Sequence, residues 1–304
     1  MKRILITDGL DKAAIARLRA LGFTVDEQFY PAEELGAALQ QYDAVVVRSA
    51  TKIRKEQLDL AKEGALQLII RGGVGVDNID VAYAEACGIR VRNTPAASSN
   101  SVAELALAHM FSCARFVSAA GHTMRQGKWE KKAYGAGIEL SGKTLGVIGY
   151  GRIGRALGKK AQALGMQVLA YDVYQDNSLV CDTMQYVSLE ELLARSDFIS
   201  LHTPSLDGKP LICSETIGQM KDGVVFVNTS RGSNVDEAAL LAGLESGKIR
   251  AAGLDVFAQE PTGNAALLAH PRVSCTPHIA ASTGEAQGRI GGEVVAILQE
   301  AFCK

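Results

Sequence analysis

The sequence carries no excess of either charge, because 32 lysines and arginines stand against 33 aspartates and glutamates, for a formal net charge of −1. Proteins that coat nucleic acid usually have a basic excess, so we expect no nucleic-acid partner. A small anionic substrate is still allowed, because a few placed cations do not show in a total. The hydrophobic fraction of 47% and the charged fraction of 21% are typical of a globular protein with a substantial core.

The sequence also lacks long hydrophobic runs. The N-terminal apolar run covers only residues 4–6 before Thr7, which is shorter than a signal peptide requires. The most apolar helix-like stretch covers residues 105–120, but His109 and Arg115 interrupt it and it is too short to span a bilayer. We therefore expect neither a signal peptide nor a contact with a membrane.

Cysteine is sparse and dispersed. None of the six cysteines forms a CxxC pair or a dense cluster; they are Cys87, Cys113, Cys181, Cys213, Cys275 and Cys303. This pattern is typical of reduced thiols that fill small core positions in a cytoplasmic protein. The same spacing argues against a metal site.

Strand and helix patterns alternate along most of the chain, which predicts an α/β protein with parallel sheets covered by helices. The length of 304 residues favours two domains. A first series of β-rich runs covers residues 3–7, 44–47 and 66–70. A second series of continuous apolar runs, which suit strands buried on both faces, covers residues 144–149, 168–171, 198–201, 224–227 and 252–256. A long helix over residues 101–120 is predicted between the two series.

The C-terminal segment, residues 282–304, has a helical pattern and no strand of its own. Its apolar residues recur at near-helical spacing, at Ile290, Val294, Val295, Ile297 and Leu298. We expect this helix to return to the first series of strands. The predicted domains are therefore a discontinuous one, residues 1–97 with 280–304, and an inserted one, residues 98–279.

A glycine-rich loop follows the first strand of the second series. Gly149, Gly151 and Gly154 form a G-x-G-x-x-G between an apolar run and a helical pattern. The first glycine permits a tight turn, the second lets the backbone approach a pyrophosphate, and the third lets helix and strand pack closely. The unpaired N–H groups of the helix N-terminus would face the phosphates. In this context the motif predicts a dinucleotide site of the Rossmann type.

Asp172 decides which dinucleotide is expected. It lies at the end of the second strand, 18 residues after Gly154, close to the usual spacing. Its carboxylate can accept hydrogen bonds from both hydroxyls of the adenosine ribose, and it would repel a 2′-phosphate. The predicted cofactor is therefore NAD rather than NADP.

Three polar residues follow later strands, where α/β sheets bind ligands. Arg231 can bind a carboxylate through two hydrogen bonds. His278 can exchange a proton near neutral pH, and Glu260 can fix its tautomer and favour its charged form. A carboxylate holder, a base and a group that orients the base are what oxidation of a 2-hydroxy acid requires. Each residue taken singly also fits a surface salt bridge or a hydrogen-bonded loop.

At these residues the sequence resembles the D-isomer-specific 2-hydroxyacid dehydrogenase family, over essentially the whole chain. The matching motifs lie, in order, at residues 47–52, 75–78, 101–104, 127–130, 149–154, 230–232, 235–240, 254–257, 277–278 and 281–283. The resemblance implies two Rossmann-like doubly wound domains: a flavodoxin-like substrate domain and an inserted NAD-binding Rossmann domain. Within the family, the motifs are most similar to those of the phosphoglycerate dehydrogenases.

The resemblance also implies a role for each catalytic residue. Arg231 would bind the substrate carboxylate and polarise the C2 oxygen, His278 would act as general acid–base, and Glu260 would hold His278 by a hydrogen bond. Asp255 would contact the nicotinamide carboxamide. The other cofactor contacts implied are Arg152 and Ile153 at the pyrophosphate, His202, Thr203 and Pro204 on the adenosine side, and Thr229 and Ser230 after a later strand.

The resemblance places the substrate in the first domain. Arg48 and Arg71 end two of its strands and would bind the anion, and the backbone of Gly73, Val74 and Gly75 would meet the carboxylate. Lys131 or Lys132, next to Trp129, would reach the site of a neighbouring subunit, or else carry solvated charges on a loop. Ser98 stands where the family commonly has an asparagine, which puts one substrate contact in doubt.

Three functions stay open at this point. The first is NAD-dependent oxidation of 3-phospho-D-glycerate to 3-phosphohydroxypyruvate, at the entry to serine synthesis. The second is the same chemistry on glyoxylate, hydroxypyruvate or another D-2-hydroxy acid, and the third is an NADH-sensing corepressor. By resemblance we expect a homodimer formed through residues 101–120 and the segment around Trp129. Because the 304 residues leave no room for the regulatory domain that many phosphoglycerate dehydrogenases carry, we expect no inhibition by serine.

Overall fold

A computed structural model of the chain describes residues 1–206 and 208–303. The chain forms two compact units, one of Met1–Ser98 together with the chain from Ala281 onward, and one of Ser99–Ala280. The boundaries predicted from the sequence lie one residue before the observed ones at both junctions. Lys304, the last residue of the predicted first domain, lies outside the described residues.

The first unit is built on a five-stranded parallel sheet. Its elements up to the first junction are β1 (Arg3–Ile6), α1 (Lys12–Ala20), β2 (Thr24–Glu27), α2 (Ala32–Leu39), β3 (Ala44–Val47), α3 (Lys55–Ala61), β4 (Leu68–Arg71), α4 (Val81–Ala86) and β5 (Arg90–Asn93). The strand order is β2-β1-β3-β4-β5, which is the flavodoxin-like order. Two apolar cores cover the two faces of this sheet.

The second unit contains a seven-stranded parallel sheet. Its elements are α5 (Ser99–Arg115), α6 (Val117–Arg125), β6 (Thr144–Ile148), α7 (Arg152–Ala163), β7 (Gln167–Tyr171), β8 (Met184–Tyr186), α8 (Leu189–Arg195), β9 (Phe198–Leu201), α9 (Ser214–Gln219), β10 (Val224–Asn228), α10 (Glu237–Ser246), β11 (Ile249–Leu254), α11 (Ala265–Ala269) and β12 (Val273–Cys275). The chain then enters α12 (Gly284–Phe302), which belongs to the first unit.

The strand order of the second sheet is β12-β11-β10-β9-β6-β7-β8. The chain starts at β6 in the middle of the sheet, runs outward to β8, and then returns to β9 on the other side of β6. This is the Rossmann order with one additional strand, and the reversal beside β6 is the point at which such sheets bind ligands. The α/β architecture with two parallel sheets is therefore confirmed.

The C-terminal helix α12 packs on the first sheet. Ile290, Val294 and Leu298 lie in one apolar core with Ile4 and Ile6 of β1. Thr283 caps the helix, because its hydroxyl accepts a hydrogen bond from the backbone N–H of Ala286. The apolar spacing that marks this helix in the sequence is thus the face that it buries.

The single helix predicted over residues 101–120 is wrong, because two helices cover this stretch. Phe116 adopts a left-handed backbone conformation with φ of 58°, which no α-helix can continue through. α5 ends before it and α6 begins after it, with a bend of 68° between the two helices. Among the described residues no single helix is long and apolar enough to cross a membrane; only this bent pair reaches that length and composition jointly.

Candidate active site

The glycine loop joins β6 to α7. Gly149 has φ of 91°, and a Cβ atom there would lie 2.8 Å from the carbonyl carbon of His202. At Gly154 a Cβ atom would lie 2.3 Å from the carbonyl oxygen of Gly149, so helix and loop approach too closely for any side chain. Around Gly151 the space is open, because a Cβ atom there would have no other atom within 4 Å. Arg152 and Ile153 then begin α7, whose N-terminus suits a pyrophosphate.

Asp172 lies directly after β7, beside this loop. Its Oδ2 accepts a hydrogen bond of 2.6 Å from the backbone N–H of Tyr150, and its Oδ1 accepts one of 3.0 Å from that of Tyr174. The carboxylate is therefore fixed next to the middle of the G-x-G-x-x-G. This is the position in which a Rossmann carboxylate meets the adenosine ribose.

The segments after β9 and β10 contain buried polar atoms that suit a polar ligand. His202 Nδ1 and Thr229 Oγ1 are buried and have no hydrogen-bond partner within the described ranges, 1–206 and 208–303. The other ring nitrogen of His202 lies 2.8 Å from the hydroxyl of Ser200. Burial lowers the pKa of His202 to about 4, so its imidazole is neutral near pH 7. With the open side of Gly151, these atoms fit a dinucleotide at this end of the sheet.

Asn234 supports the neighbouring loop, a role that the sequence pattern did not reveal. It is fully buried, and its amide nitrogen donates to the hydroxyl of Thr203 at 3.0 Å and to the carbonyl of Pro204 at 2.7 Å. The predicted adenosine-side residues are therefore fixed by a side chain from beyond the next strand. A buried asparagine that cross-links two loops has no signature in local sequence.

Arg231 projects from a turn that Asn228 organises. The side-chain oxygen of Asn228 accepts from the N–H and the hydroxyl of Ser230, and its amide donates to the carbonyl of Arg231 at 2.9 Å. At Gly232 a Cβ atom would lie 1.9 Å from the carbonyl carbon of Phe257. Only glycine allows this approach, which brings the Arg231 turn against the segment that leads to Glu260.

His278 and Glu260 form a hydrogen-bonded pair. His278 Nδ1 lies 2.7 Å from Glu260 Oε2, while Glu260 Oε1 accepts from the backbone N–H of Phe257 at 3.1 Å. Burial raises the pKa of Glu260, but the hydrogen bond and charge of His278, with the backbone bond and the charge of Arg231, outweigh it and lower the pKa below 4.5. The structure thus brings the three predicted catalytic residues into one electrostatic group.

Asp255 lies just beyond the end of β11 and is fully buried. Its Oδ1 accepts from the hydroxyl of Thr276 at 2.6 Å and from the N–H of Ile279 at 2.8 Å, and its Oδ2 accepts from the N–H of Ala280 at 2.9 Å. The family resemblance implies that Asp255 contacts the nicotinamide carboxamide. In the structure its carboxylate holds the loop on which His278 lies.

The predicted substrate residues of the first unit surround one turn after β4. Arg71 lies across Gly73, because a Cβ atom there would be 1.5 Å from Arg71 Nη1, and Arg48 Cγ lies 3.7 Å from the corresponding position at Gly72. The carbonyl of Val74 accepts a hydrogen bond of 2.5 Å from the side chain of Asn93. The predicted backbone contact Gly75 follows in the same loop.

The side chains around Arg48 fix its backbone. Asp8 Oδ2 accepts from the N–H of Arg48 at 2.6 Å, and the side chain of Asn78 donates to the carbonyls of Arg48 and Thr51, both at 2.7 Å. The sequence pattern did not identify Asp8, which lies after β1. Two arginines therefore flank one turn, in a unit where a substrate anion is predicted to bind.

The remaining candidates differ in their exposure to solvent. Lys131, Lys132 and Trp129 are exposed in the segment after α6, whereas Ser98 is buried at the end of the first unit. Among the described residues no group of three or more His, Cys, Asp or Glu side chains is arranged to hold a metal ion.

Comparison with protein families identifies the second unit. Residues 107–280 match the family model described as D-isomer specific 2-hydroxyacid dehydrogenase, NAD binding domain. This match covers the glycine loop, Asp172 and all three predicted catalytic residues.

Individual relatives cover nearly the whole chain. It is 45% identical over 298 residues to a hydroxypyruvate reductase of Thermotoga maritima, which covers 96% of each chain. It is 41% identical over 297 residues to human D-3-phosphoglycerate dehydrogenase, covering 97% of this chain and 55% of that one. The chain thus spans about half the length of its mammalian relatives.

A solved structure gives the same correspondence in three dimensions. The D-lactate dehydrogenase of Aquifex aeolicus, crystallised with NAD and lactic acid, superposes with a TM-score of 0.86 at 31% identity. The match covers 98% of this chain and 95% of that one.

Proposed function

Because the chain belongs to the D-isomer specific 2-hydroxyacid dehydrogenase family, we propose that it oxidises 3-phospho-D-glycerate to 3-phosphohydroxypyruvate. The general activity, NAD-dependent oxidation and reduction of a D-2-hydroxy acid, follows from the family and its NAD-binding domain. The observation that carries the chemistry is the 2.7 Å pair of His278 and Glu260 in the field of Arg231.

The residues of the second unit divide the reaction between them. The glycine loop and Asp172 would hold NAD, which when bound would supply the hydride acceptor for C2 of the hydroxy acid. His278 removes the hydroxyl proton in oxidation and returns it in reduction, and Glu260 stabilises the charged imidazole. Arg231 holds the substrate carboxylate by paired hydrogen bonds and draws electron density toward the C2 oxygen.

The phosphate group of the proposed substrate is assigned to Arg48 and Arg71. In the first unit the Cγ atom of Arg48 lies near Gly72, and the guanidinium of Arg71 lies across Gly73. Arginine is well suited to bind phosphate through two parallel hydrogen bonds. A monocarboxylic keto acid needs one such cation, so two arginines at one turn favour a substrate with a second anionic group.

Hydroxypyruvate is the second candidate substrate. Its support is the Thermotoga maritima hydroxypyruvate reductase, which is 45% identical and matches this chain over 96% of both lengths. Hydroxypyruvate lacks the phosphate. Arg48 is therefore expected to contribute to binding of the phosphorylated substrate but not to binding of hydroxypyruvate.

A panel of substrates assayed with NADH and NADPH distinguishes them. We expect 3-phosphohydroxypyruvate to be reduced with a higher kcat/KM than hydroxypyruvate or glyoxylate. Arg48→Ala should raise the KM for the phosphorylated substrate by about 10–100-fold, because charged hydrogen bonds are lost. The KM for glyoxylate should change little. Arg54→Ala is the matched control, because Arg54 pairs with Asp80 elsewhere in the same unit.

Each other outcome has a defined meaning. If Arg48→Ala raised the KM equally for both substrates, Arg48 would not be the residue that binds the phosphate. A preference of the unmodified protein for hydroxypyruvate would establish a hydroxypyruvate reductase. If no D-2-hydroxy acid or keto acid were turned over, the NADH-sensing corepressor would become the favoured function.

We propose further that the protein is a cytoplasmic homodimer. Support comes from three exposed apolar side chains of α6 and the segment after it, Val117, Met124 and Trp129, because apolar residues exposed to solvent can mark a protein interface. Light scattering after gel filtration should give twice the chain mass, and Met124→Glu should reduce it. A chain mass for the unmodified protein would contradict the dimer.

A further inference from the structure

His109 is a buried titratable residue that the proposed chemistry does not use. It lies on α5 with 2% of its surface exposed. Its Nδ1 is 3.1 Å from the hydroxyl of Ser274, and its Nε2 is 3.0 Å from the hydroxyl of Thr276. Both partners belong to the segment that runs from β12 toward His278.

The hydrogen bonds around His109 have one consistent direction. Thr276 donates its single hydroxyl proton to Asp255 Oδ1 at 2.6 Å, so its oxygen accepts from His109 Nε2. Burial lowers the pKa of His109, although the charge of Asp255 raises it, and the ring is therefore neutral near pH 7. A neutral ring with its proton on Nε2 accepts from Ser274 at Nδ1. Hydrogen bonds aligned in one direction strengthen one another.

The chain of bonds ends on three successive backbone groups. The N–H of His278 donates to the carbonyl of Asp255 at 2.8 Å, and those of Ile279 and Ala280 donate to its carboxylate at 2.8 and 2.9 Å. His278 itself has φ of 53°, a left-handed conformation that is uncommon for a residue other than glycine. Consecutive N–H groups around such a residue form a concave site for an anion, here the Asp255 carboxylate.

We propose that His109 is a positioning residue, which acts through Thr276 and Asp255 to hold the His278 loop in its left-handed conformation. This inference rests on the proposed function, because His278 is its acid–base. The hydrogen bonds of its ring go to Ser274 and Thr276 and not to the proposed catalytic residues Arg231, Glu260 or His278. Its N–H fixes the orientation of the Thr276 hydroxyl, and thereby keeps the Asp255 carboxylate clamped on the backbone of Ile279 and Ala280.

Three variants of the full-length protein test this role. His109→Leu removes both hydrogen bonds, and His109→Gln retains an N–H donor that can reach Thr276. Cys113→Ala is the matched control, because Cys113 is buried one turn further along α5 and contacts the backbone of Ser274 without joining the chain of bonds.

The first readout does not depend on turnover. Hydrogen exchange of the Ile279 and Ala280 amides should accelerate about tenfold in His109→Leu, which corresponds to one lost hydrogen bond. His109→Gln and Cys113→Ala should exchange at close to the unmodified rate. Unchanged exchange in a folded His109→Leu, or equal acceleration in Cys113→Ala, would overturn the proposal, because both would indicate core packing alone.

The second readout is the reduction of a 2-keto acid that the unmodified protein turns over. His109→Leu should lower kcat by about tenfold through the misplaced base, and leave the affinity for NADH, measured by its fluorescence, unchanged. His109→Gln should recover most of kcat. A loss of kcat that follows only the melting temperature across the three variants would overturn the positioning role. Absence of turnover in the unmodified protein would refute the proposed function instead, and the exchange experiment would still decide on His109.

Discussion

His278 Nδ1 and Glu260 Oε2 lie 2.7 Å apart although the two residues are 18 positions apart in sequence. Glu260 follows β11 and His278 follows β12, and these neighbouring parallel strands end at the same edge of the sheet. The carboxylate of Glu260 binds Nδ1, so Nε2 is the ring nitrogen that the proposed mechanism assigns to the substrate oxygen. The pair therefore sets the tautomer of His278 as well as its orientation.

Replacement of Glu260 by glutamine should lower kcat/KM by about a hundredfold, because the amide does not stabilise the charged imidazole. Glu237→Gln provides the control, since Glu237 accepts from the backbone N–H of Ala258 at 2.8 Å in the same segment but belongs to no pair with His278. Steady-state kinetics on both variants measures the difference. If the two variants had similar kcat/KM values, Glu260 would have no specific role in catalysis.

Asp172→Ala should change the choice of cofactor. The variant removes the carboxylate that would repel a 2′-phosphate, so the ratio of kcat/KM for NAD over that for NADP should fall by about a hundredfold. Absolute activity should also drop, because Asp172 accepts hydrogen bonds from the backbone of Tyr150 and Tyr174. Asp176→Ala, in the same loop and paired with Arg155, should keep the ratio. An unchanged ratio in Asp172→Ala would place cofactor discrimination elsewhere.

The success of strand prediction depends on where a strand lies in its sheet. All eight predicted runs became strands, with ends shifted by up to three residues. Within residues 1–206 and 208–303, the sequence pattern fails to predict four strands, and these are the edge strands of the two sheets: β2, β5, β8 and β12. An interior strand is buried on both faces, so its sequence is a continuous apolar run. The edge strand β5 contains Arg90, Arg92 and Asn93 and therefore has no such run.

The candidate site shows the same division between local and distant information. The glycine loop, Asp172 and the three predicted catalytic residues lie in short sequence motifs, so they can be proposed from the sequence alone. Asn234 and His109 act through hydrogen bonds to residues 31 and 167 positions away in sequence. The break at Phe116 was missed because its aromatic side chain gives no local signal for a left-handed backbone.

His202 should make the fold sensitive to acid. Its pKa is about 4 in the folded protein against 6.5 for an ordinary histidine, so between these values the unfolded chain binds the extra proton. The contribution of neutral His202 to the free energy of unfolding is therefore fully present above about pH 6.5. It decreases as the pH falls toward 4, by at most about 1.4 kcal/mol per pH unit. Urea unfolding near pH 7 and pH 5 should show a smaller difference for His202→Gln than for the unmodified protein.

The control for this experiment is His122→Gln, which replaces an exposed imidazole on α6. His109, whose pKa burial also lowers, remains in both variants and accounts for part of the residual slope. If His202→Gln lost as much stability on acidification as the unmodified protein, the buried neutral state of His202 would not be the cause.

Gly232→Ala should separate catalysis from folding in the Arg231 turn. The added methyl group would lie 1.9 Å from the carbonyl carbon of Phe257 and 2.5 Å from the nitrogen of Ala258, so the turn and the segment leading to Glu260 must move apart. A displacement of about 1 Å at a site of this kind costs on the order of a hundredfold in rate. We therefore expect kcat/KM to fall by about that factor in a protein whose circular dichroism remains native. Gly218→Ala is the control, because that position near the end of α9 has open space around it and alanine favours the helix by about 0.5–1 kcal/mol. Native kcat/KM in Gly232→Ala would show that the spacing between Arg231 and Glu260 is not what the reaction requires.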